Sequence, residues 1–205
     1  EDSIDENILY LGTDYGVYIT LNAGQSWMRW SKGMPNVPVH DLVIQQREKH
    51  LVIGTHGRSI YIADLKLIEQ LNQKTLDAPL KLLTEATAKL PRHAGKNKDL
   101  YSHSRPPHMM RINYYAKQAG IVAIELLDSA NRNVIQLLAD TAHAGLNTCK
   151  YNYEVFGNAS GKVYVIGANF PKAEDGKRYL IKGHYNIRIS RGKDRDEKQI
   201  EFMEK

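Results

Sequence analysis

The chain has a single cysteine, Cys149. One thiol forms no intrachain disulfide and supplies no multi-cysteine zinc site. No histidine or acid is tied to it by spacing, so it reads as an inert strand thiol and not as a nucleophile. Long apolar runs are also missing, and none approaches the roughly 18–20 residues of a membrane-spanning helix. The start, Glu1-Asp2-Ser3-Ile4-Asp5-Glu6, is acidic and polar, unlike a signal peptide. It fits a processed or excised beginning. The formal net charge is +5, yet no basic stripe concentrates it. Lys96 and Lys98, Lys177 and Arg178, and the mixed run Arg191 to Lys198 are scattered or interleaved with acids. That distribution describes a solvated surface, and nucleic acid is not expected as a partner.

What the chain has is ordinary bulk and an unusual order. Its 205 residues are 42% hydrophobic and 25% charged, enough for one large domain or two small ones. Leu9-Tyr10-Leu11-Gly12-Thr13 leads to Gly16-Val17-Tyr18-Ile19-Thr20. From Gly12 to Gly54, 42 residues on, the phrase recurs: Leu51-Val52-Ile53-Gly54-Thr55 leads to Ser59-Ile60-Tyr61-Ile62-Ala63. A strand, a Gly-Thr corner and a second strand at a period of about 40–45 residues is the spacing of β-propeller blades. A propeller needs about 4–8 blades, and fewer than two fit here before the pattern changes. The chain therefore reads as part of something larger. Residues 7–64 hold about six short strands, the third flanked by Trp27 and Trp30, with a loop over Gly33 to Pro38.

After Asp64 the apolar period changes. Leu65, Ile68 and Leu71 sit at helical spacing and predict a helix over 65–75 with Asp64 at its N-terminus. Leu80 to Leu83 is expected as a short strand, and Ala86 to His108 as irregular linker broken by Pro91, Gly95 and Pro106-Pro107. Then β signals return. Arg111 to Tyr115 is one strand, and Ile121 to Leu127 with Val134 to Leu138 form a hairpin. In Leu146 to Val155 the residues Cys149, Tyr151, Tyr153 and Val155 share a face, opposite Lys150, Asn152 and Glu154. Val163 to Ile166, Tyr185 to Ile189 and Ile200 to Phe202 complete about seven strands, the pattern of an immunoglobulin-like sandwich. Asp194, Asp196 and Glu197 are expected at a hairpin tip. The organisation is thus 1–64 terminal blade region, 65–108 helix and linker, and 109–205 sandwich.

Two motifs carry a resemblance. Thr20, Asn22, Gly24, Ser26 and Trp27 resemble the Asp-box, Ser-x-Asp-x-Gly-x-Thr-Trp, of sialidase-like and sortilin-like propellers. The polar side chain at 22 bonds turn backbone, Gly24 supplies an awkward φ, and Trp27 packs under the hairpin. Gly54-Thr55-His56-Gly57-Arg58, after Pro38-Val39-His40-Asp41, resembles the closing blade of large bacterial Asp-box repeat proteins. Gly145 to Asn152 and Lys182 to Ile189 resemble strands of the Ig-like modules appended to secreted propellers. The resemblance implies a C-terminal region of such a protein, located outside the cell, in the periplasm or at the cell surface. The expected partners are the remaining blades of the parent propeller and a glycan or protein ligand, or a second copy of the chain.

No complete active site is visible. His56 and Arg58 lie in a turn without visible partner groups. Asp14 and Asp41 are carboxylates by type only, and turn capping is the expected role of Asp14, at a blade corner. His93, His103 and His108 lack metal-ligand spacing. Asn22, Gly24, Trp27, Gly54, Thr55, His56, Gly57 and Arg58 are therefore structural candidates, with no catalytic, cofactor or metal residue assigned. The leading expectation is a non-catalytic region that stabilises or presents a propeller. The alternative is a glycoside hydrolase fragment whose catalytic groups lie in other blades. An isolated blade exposes edges and apolar faces, so residues 7–64 are expected to be covered by the helix, the sandwich or a second copy.

Overall fold

The computed structural model describes all residues except 3, 31–32, 92–108, 129–133, 156–169, 171 and 205. Among the described residues it is mainly β, with 14 strands in four sheets and one helix of five residues. The chain divides into two compact units, Glu1–Leu76 and Asp77–Lys205.

The first unit holds two antiparallel three-stranded sheets. One is β1 (Leu9–Thr13), β2 (Gly16–Thr20) and β3 (Met28–Arg29); the other is β4 (Val39–Gln45), β5 (His50–Thr55) and β6 (Ile60–Asp64). Side chains alternate between sheet faces, so register decides which are buried. Tyr10 opposes Ile19 and Gly12 opposes Val17, placing these four on one face of the first sheet; Leu9, Leu11 and Tyr18 take the other. In the second sheet Leu42, Ile53 and Tyr61 form one row, while Val43, Val52 and Ile62 form a row on the opposite face. The core joins Ile8, Val17 and Ile19 to Leu51 and Ile53, with Met34, Val37, Leu65 and Ile68. Gly12 permits the close approach of β1 to β4: a Cβ there would lie 2.7 Å from Val39 Cγ1.

The helix expected over 65–75 does not form as one element. Residues 66–70 are turns, and the helix is α1 (Gln73–Asp77). Asp64 does start the turn, its Oδ1 accepting the Lys66 N–H at 2.9 Å. Asn72 divides the segment, its Oδ1 accepting the Thr75 N–H at 3.1 Å as a helix N-cap. A short polar side chain offers the backbone an alternative to continuing a helix, which apolar spacing alone does not reveal. Leu65 and Ile68 still enter the core, where helical spacing had aimed them.

The second unit has a five-stranded sheet, β11-β10-β13-β14-β8, and a three-stranded sheet, β12-β9-β7. The strands are β7 (Leu80–Leu82), β8 (Thr87–Lys89), β9 (Met110–Ala116), β10 (Gly120–Asp128), β11 (Val134–Ala142), β12 (Gly145–Tyr151), β13 (Gly183–Arg191) and β14 (Asp194–Met203). Inward residues of both sheets share one core, among them Ile112 and Tyr114 of β9, Ile124 of β10, Ile187 of β13 and Phe202 of β14. On the opposite face of the larger sheet Glu125, Arg188 and Glu197 stand in one cross-strand row. Arg188 bridges both acids, at 3.2 Å and 2.9 Å. The hydrogen bond to Glu197 is the main cause that holds its guanidinium above the ordinary pKa.

Three further expectations change. Residues 86–108 are not wholly irregular, because β8 pairs in parallel with the end of β14. Asp196 and Glu197 are not at a hairpin tip; Gly192 and Lys193 make the turn, and both acids lie in the β14 ladder. Asp196 there accepts the Leu82 N–H at 2.8 Å and pairs with Lys81. Glu154 is buried and not on an exposed strand face. β12 ends at Tyr151, and the positive φ of Tyr153 (64°) breaks the two-residue alternation. The Glu154 carboxylate then pairs with Lys177, raising the lysine pKa first by that hydrogen bond. The strand expected over 163–166 lies outside the described residues.

Candidate functional site

The Asp-box-like segment forms a closed net of short hydrogen bonds between β2 and β3. Thr20 Oγ1 donates to Asn22 Oδ1 at 2.8 Å and accepts the Gly24 N–H at 3.0 Å. Asn22 Oδ1 also accepts the Ser26 N–H at 2.9 Å, and Asn22 Nδ2 donates to Ser26 Oγ at 2.9 Å. Ala23 and Gly24 both adopt positive φ, 51° and 85°. Glycine makes the second of these inexpensive, while Ala23 carries the strain of the first. The Ala23 N–H is held by the Asn7 carbonyl at 2.9 Å, tying the turn to the residues before β1. Trp27 lies against the turn but stays partly open to solvent. It is 39% exposed, and its ring lies 3.8 Å from where a Gly24 Cβ would stand. Trp30 packs against the core instead.

The second motif is a corner between β5 and β6. Thr55 Oγ1 donates to the Ser59 carbonyl at 2.5 Å. The matching corner of the first sheet uses Thr13, whose Oγ1 donates to the Gly16 carbonyl at 3.0 Å and accepts the Tyr15 N–H at 3.1 Å. Thr13, not Asp14, thus caps the β1–β2 turn. Asp41 Oδ1 accepts its neighbour's N–H, from Leu42, at 2.8 Å. Gly57 takes φ 71°, and Gly54 lies against Asp41 backbone. The His56 N–H donates to the Pro38 carbonyl at 3.0 Å, and its ring stacks on His40 with centroids 5.1 Å apart. Arg58 is exposed. The histidine stack follows from a register shift between Val39 and Asp41 that has no sequence signature.

Other chemistry-bearing groups are dispersed. Among the described residues, no three of His, Cys, Asp and Glu gather as a metal site would require, and His93, His103 and His108 lie outside those residues. Cys149 is half-buried, and burial, with Asp140 as the lesser cause, raises its thiol pKa. That makes it a poorer nucleophile at neutral pH. Tyr114 OH donates to Asp140 Oδ2 at 2.7 Å; burial first, then that bond, pushes the phenol pKa upward. Asp2 is buried near the first sheet, a place nothing in its acidic surroundings signals. Its Oδ2 accepts the Tyr10 hydroxyl at 3.0 Å and its Oδ1 accepts the Ile4 N–H at 3.0 Å. A cavity of about 10 Å³ within the second unit, lined by Ile112, Ile124, Gln136 and Tyr151, has room for little more than a water molecule. No helix among the described residues is long and apolar enough to cross a membrane.

No protein-family model, curated protein or solved structure matches this chain.

Proposed function

We propose that this chain is a non-catalytic β scaffold: terminal blade repeats of an exported Asp-box propeller protein, followed by an Ig-like sandwich that stabilises or presents the propeller and binds glycan or protein. The observation that carries this reading is the repeat. β1–β2 and β5–β6 are antiparallel pairs joined by corners of the same design, each closed by a threonine hydroxyl on the carbonyl that precedes the returning apolar residues. The motif residues spend their polarity on this framework. Thr20, Asn22 and Ser26 satisfy one another and the turn, while the Thr55 hydroxyl and the His56 backbone N–H bind backbone carbonyls. Such groups hold turns and are not poised around a substrate. Export follows from the resemblance.

A glycan array and a pull-down with the full chain test the reading, with saturable binding and no hydrolysis expected. Turnover of a glycoside by the purified chain, lost on substitution of Asp14 or Asp41, overturns it and favours the hydrolase reading.

A further inference from the structure

The two sheets of the first unit are stacked head to tail. Along the repeat, Tyr10 matches Val52, Gly12 matches Gly54, Val17 matches Ile60 and Ile19 matches Ile62. In the first sheet these positions face the core, with Val17 and Ile19 buried. In the second sheet they face outward, and Ile60 and Ile62 are 67% and 66% exposed. The converse also holds. Leu51, Ile53 and Tyr61 line the core, while their counterparts Leu9, Leu11 and Tyr18 lie on the outer face of the first sheet, Leu11 at 46% exposure. One face of the repeat therefore packs on the opposite face of the next, a heterologous contact in which the two partners use different surfaces. The Ile60–Ile62 face is left open, and on the outer face of the first sheet Leu11 is exposed while Leu9 and Tyr18 are half-buried and Thr20, at the strand end, is buried. The charges of the two faces are opposite: register puts Asp41 and Asp64 on the Ile60–Ile62 face, and Arg29 beside Tyr18 on the other.

We infer that the Ile60–Ile62 face docks the Leu11–Tyr18 face of a second copy of this chain, repeating between copies the contact already made within one. The inference rests on the sheet repeat described under the proposed function and names a second copy, in place of a further blade, as the occupant. Continuity with the existing sheet-to-sheet contact selects this occupant, because an isologous pairing of two Ile60–Ile62 faces would set Asp41 and Asp64 against their own kind.

The test uses the full chain with Cys149→Ser, which removes its only cysteine. Ile62→Cys and Leu11→Cys variants are made separately, mixed in equal amounts and treated with a short bis-maleimide. The mixture is expected to give a cross-linked dimer about tenfold more readily than either variant alone, since only the mixture offers both faces of a heterologous contact. Self-linking of Ile62→Cys at an equal rate, or no linking in the mixture, overturns the inference. In parallel, Ile60→Lys with Ile62→Lys, at positions already exposed, is expected to weaken self-association by about tenfold or more in sedimentation with unchanged circular dichroism. Unaltered association of this folded variant also overturns it. Glycoside turnover would sink the non-catalytic reading without touching either result, so the two failures are separable.

Discussion

The two units solve the same problem with different success. Each is built from two sheets, and each sheet must hide an apolar face. Among the described residues, both sheets of the second unit turn their apolar faces to one core of 21 buried residues. In the first unit nine buried residues form the core, although both faces of its second sheet are apolar. Among the described residues, eight large exposed hydrophobics fall in the first unit, from Ile4 to Ile62, and six in the second, from Met109 to Met203. The smaller unit thus carries more exposed apolar side chains around fewer than half as many core residues. One-sided sheets make a fold complete; two-sided sheets make a component of a stack. That difference predicts unequal stability, since a thin core leaves little margin over chain entropy.

The sharpest way to break the comparison is to cut one core residue from each unit. Leu51 is fully buried in the first and Ile187 nearly so in the second. Truncating either to alanine costs about 2–5 kcal/mol through lost transfer energy and the cavity left behind. Leu51→Ala is expected to unfold residues 1–76 while amides of β10 and β13 keep their protection in hydrogen exchange. Ile187→Ala is expected to lower the melting temperature of the second unit without unfolding it at room temperature. Equal tolerance of both cuts would erase the distinction.

Alkaline pH sharpens the contrast from the other direction. Tyr114, Tyr151, Tyr153, Tyr179 and Tyr185 of the second unit all have raised pKa values, with burial the largest cause in each. In the first unit Tyr10 is raised, again chiefly by burial and then by Asp2. A phenol whose pKa is higher folded than unfolded stabilises fully below its ordinary value of 10.0. That stability declines as pH rises from the unfolded pKa toward the folded one, because only the unfolded chain ionises. The second unit is therefore expected to lose its advantage above pH 10.0, where its tyrosines begin to titrate on unfolding. Tyr114→Phe loses about 1 kcal/mol at neutral pH with its bond to Asp140, yet should flatten the alkaline slope. Denaturant melts across that range, followed by tyrosinate absorbance, measure both effects. A slope unchanged by the substitution would remove Tyr114 from the account.

Much of this was legible in the sequence, and the failures share a cause. Apolar segments between turn residues marked β1, β2, β5, β6, β9, β10 and β13, and strict alternation marked β12. The same logic failed at Glu154, where one residue at positive φ, Tyr153, turned the chain. Leu65 and Ile68 sit at helical spacing and do enter the core, yet not as parts of one helix, since Asn72 starts a new turn. β8 was missed because its three residues, Thr87–Lys89, borrow their order from β14. In the candidate site the bond from Asn22 to turn backbone was readable from the Asp-box-like motif, while the parts played by the Thr20 and Ser26 hydroxyls were not. The His40–His56 stack was not, being created by a register shift. Patterns that depend on neighbours in sequence were visible; those that depend on neighbours in space were hidden.

The smallest expected effect tests whether the repeat is one design used twice. Thr20 and Ala63 occupy matching positions, each at or near the end of the second strand of its corner. Ala63 packs against the core and needs no hydroxyl. Thr20 is also buried, but its hydroxyl serves both Asn22 and Gly24. Valine keeps the shape of threonine and removes those bonds, leaving the half-buried Gly24 N–H without its acceptor. Thr20→Val should therefore cost about 1 kcal/mol, the net worth of a hydrogen bond. The loss should be local: faster amide exchange at Gly24 and Ser26, with Leu51 and Ile53 still protected. Ala63→Thr places a hydroxyl against apolar neighbours and should destabilise by a similar amount without affecting any turn. If Thr20→Val leaves the Gly24 and Ser26 amides unchanged, the net around Asn22 holds without its buried member, and the turn owes its form to Gly24 alone.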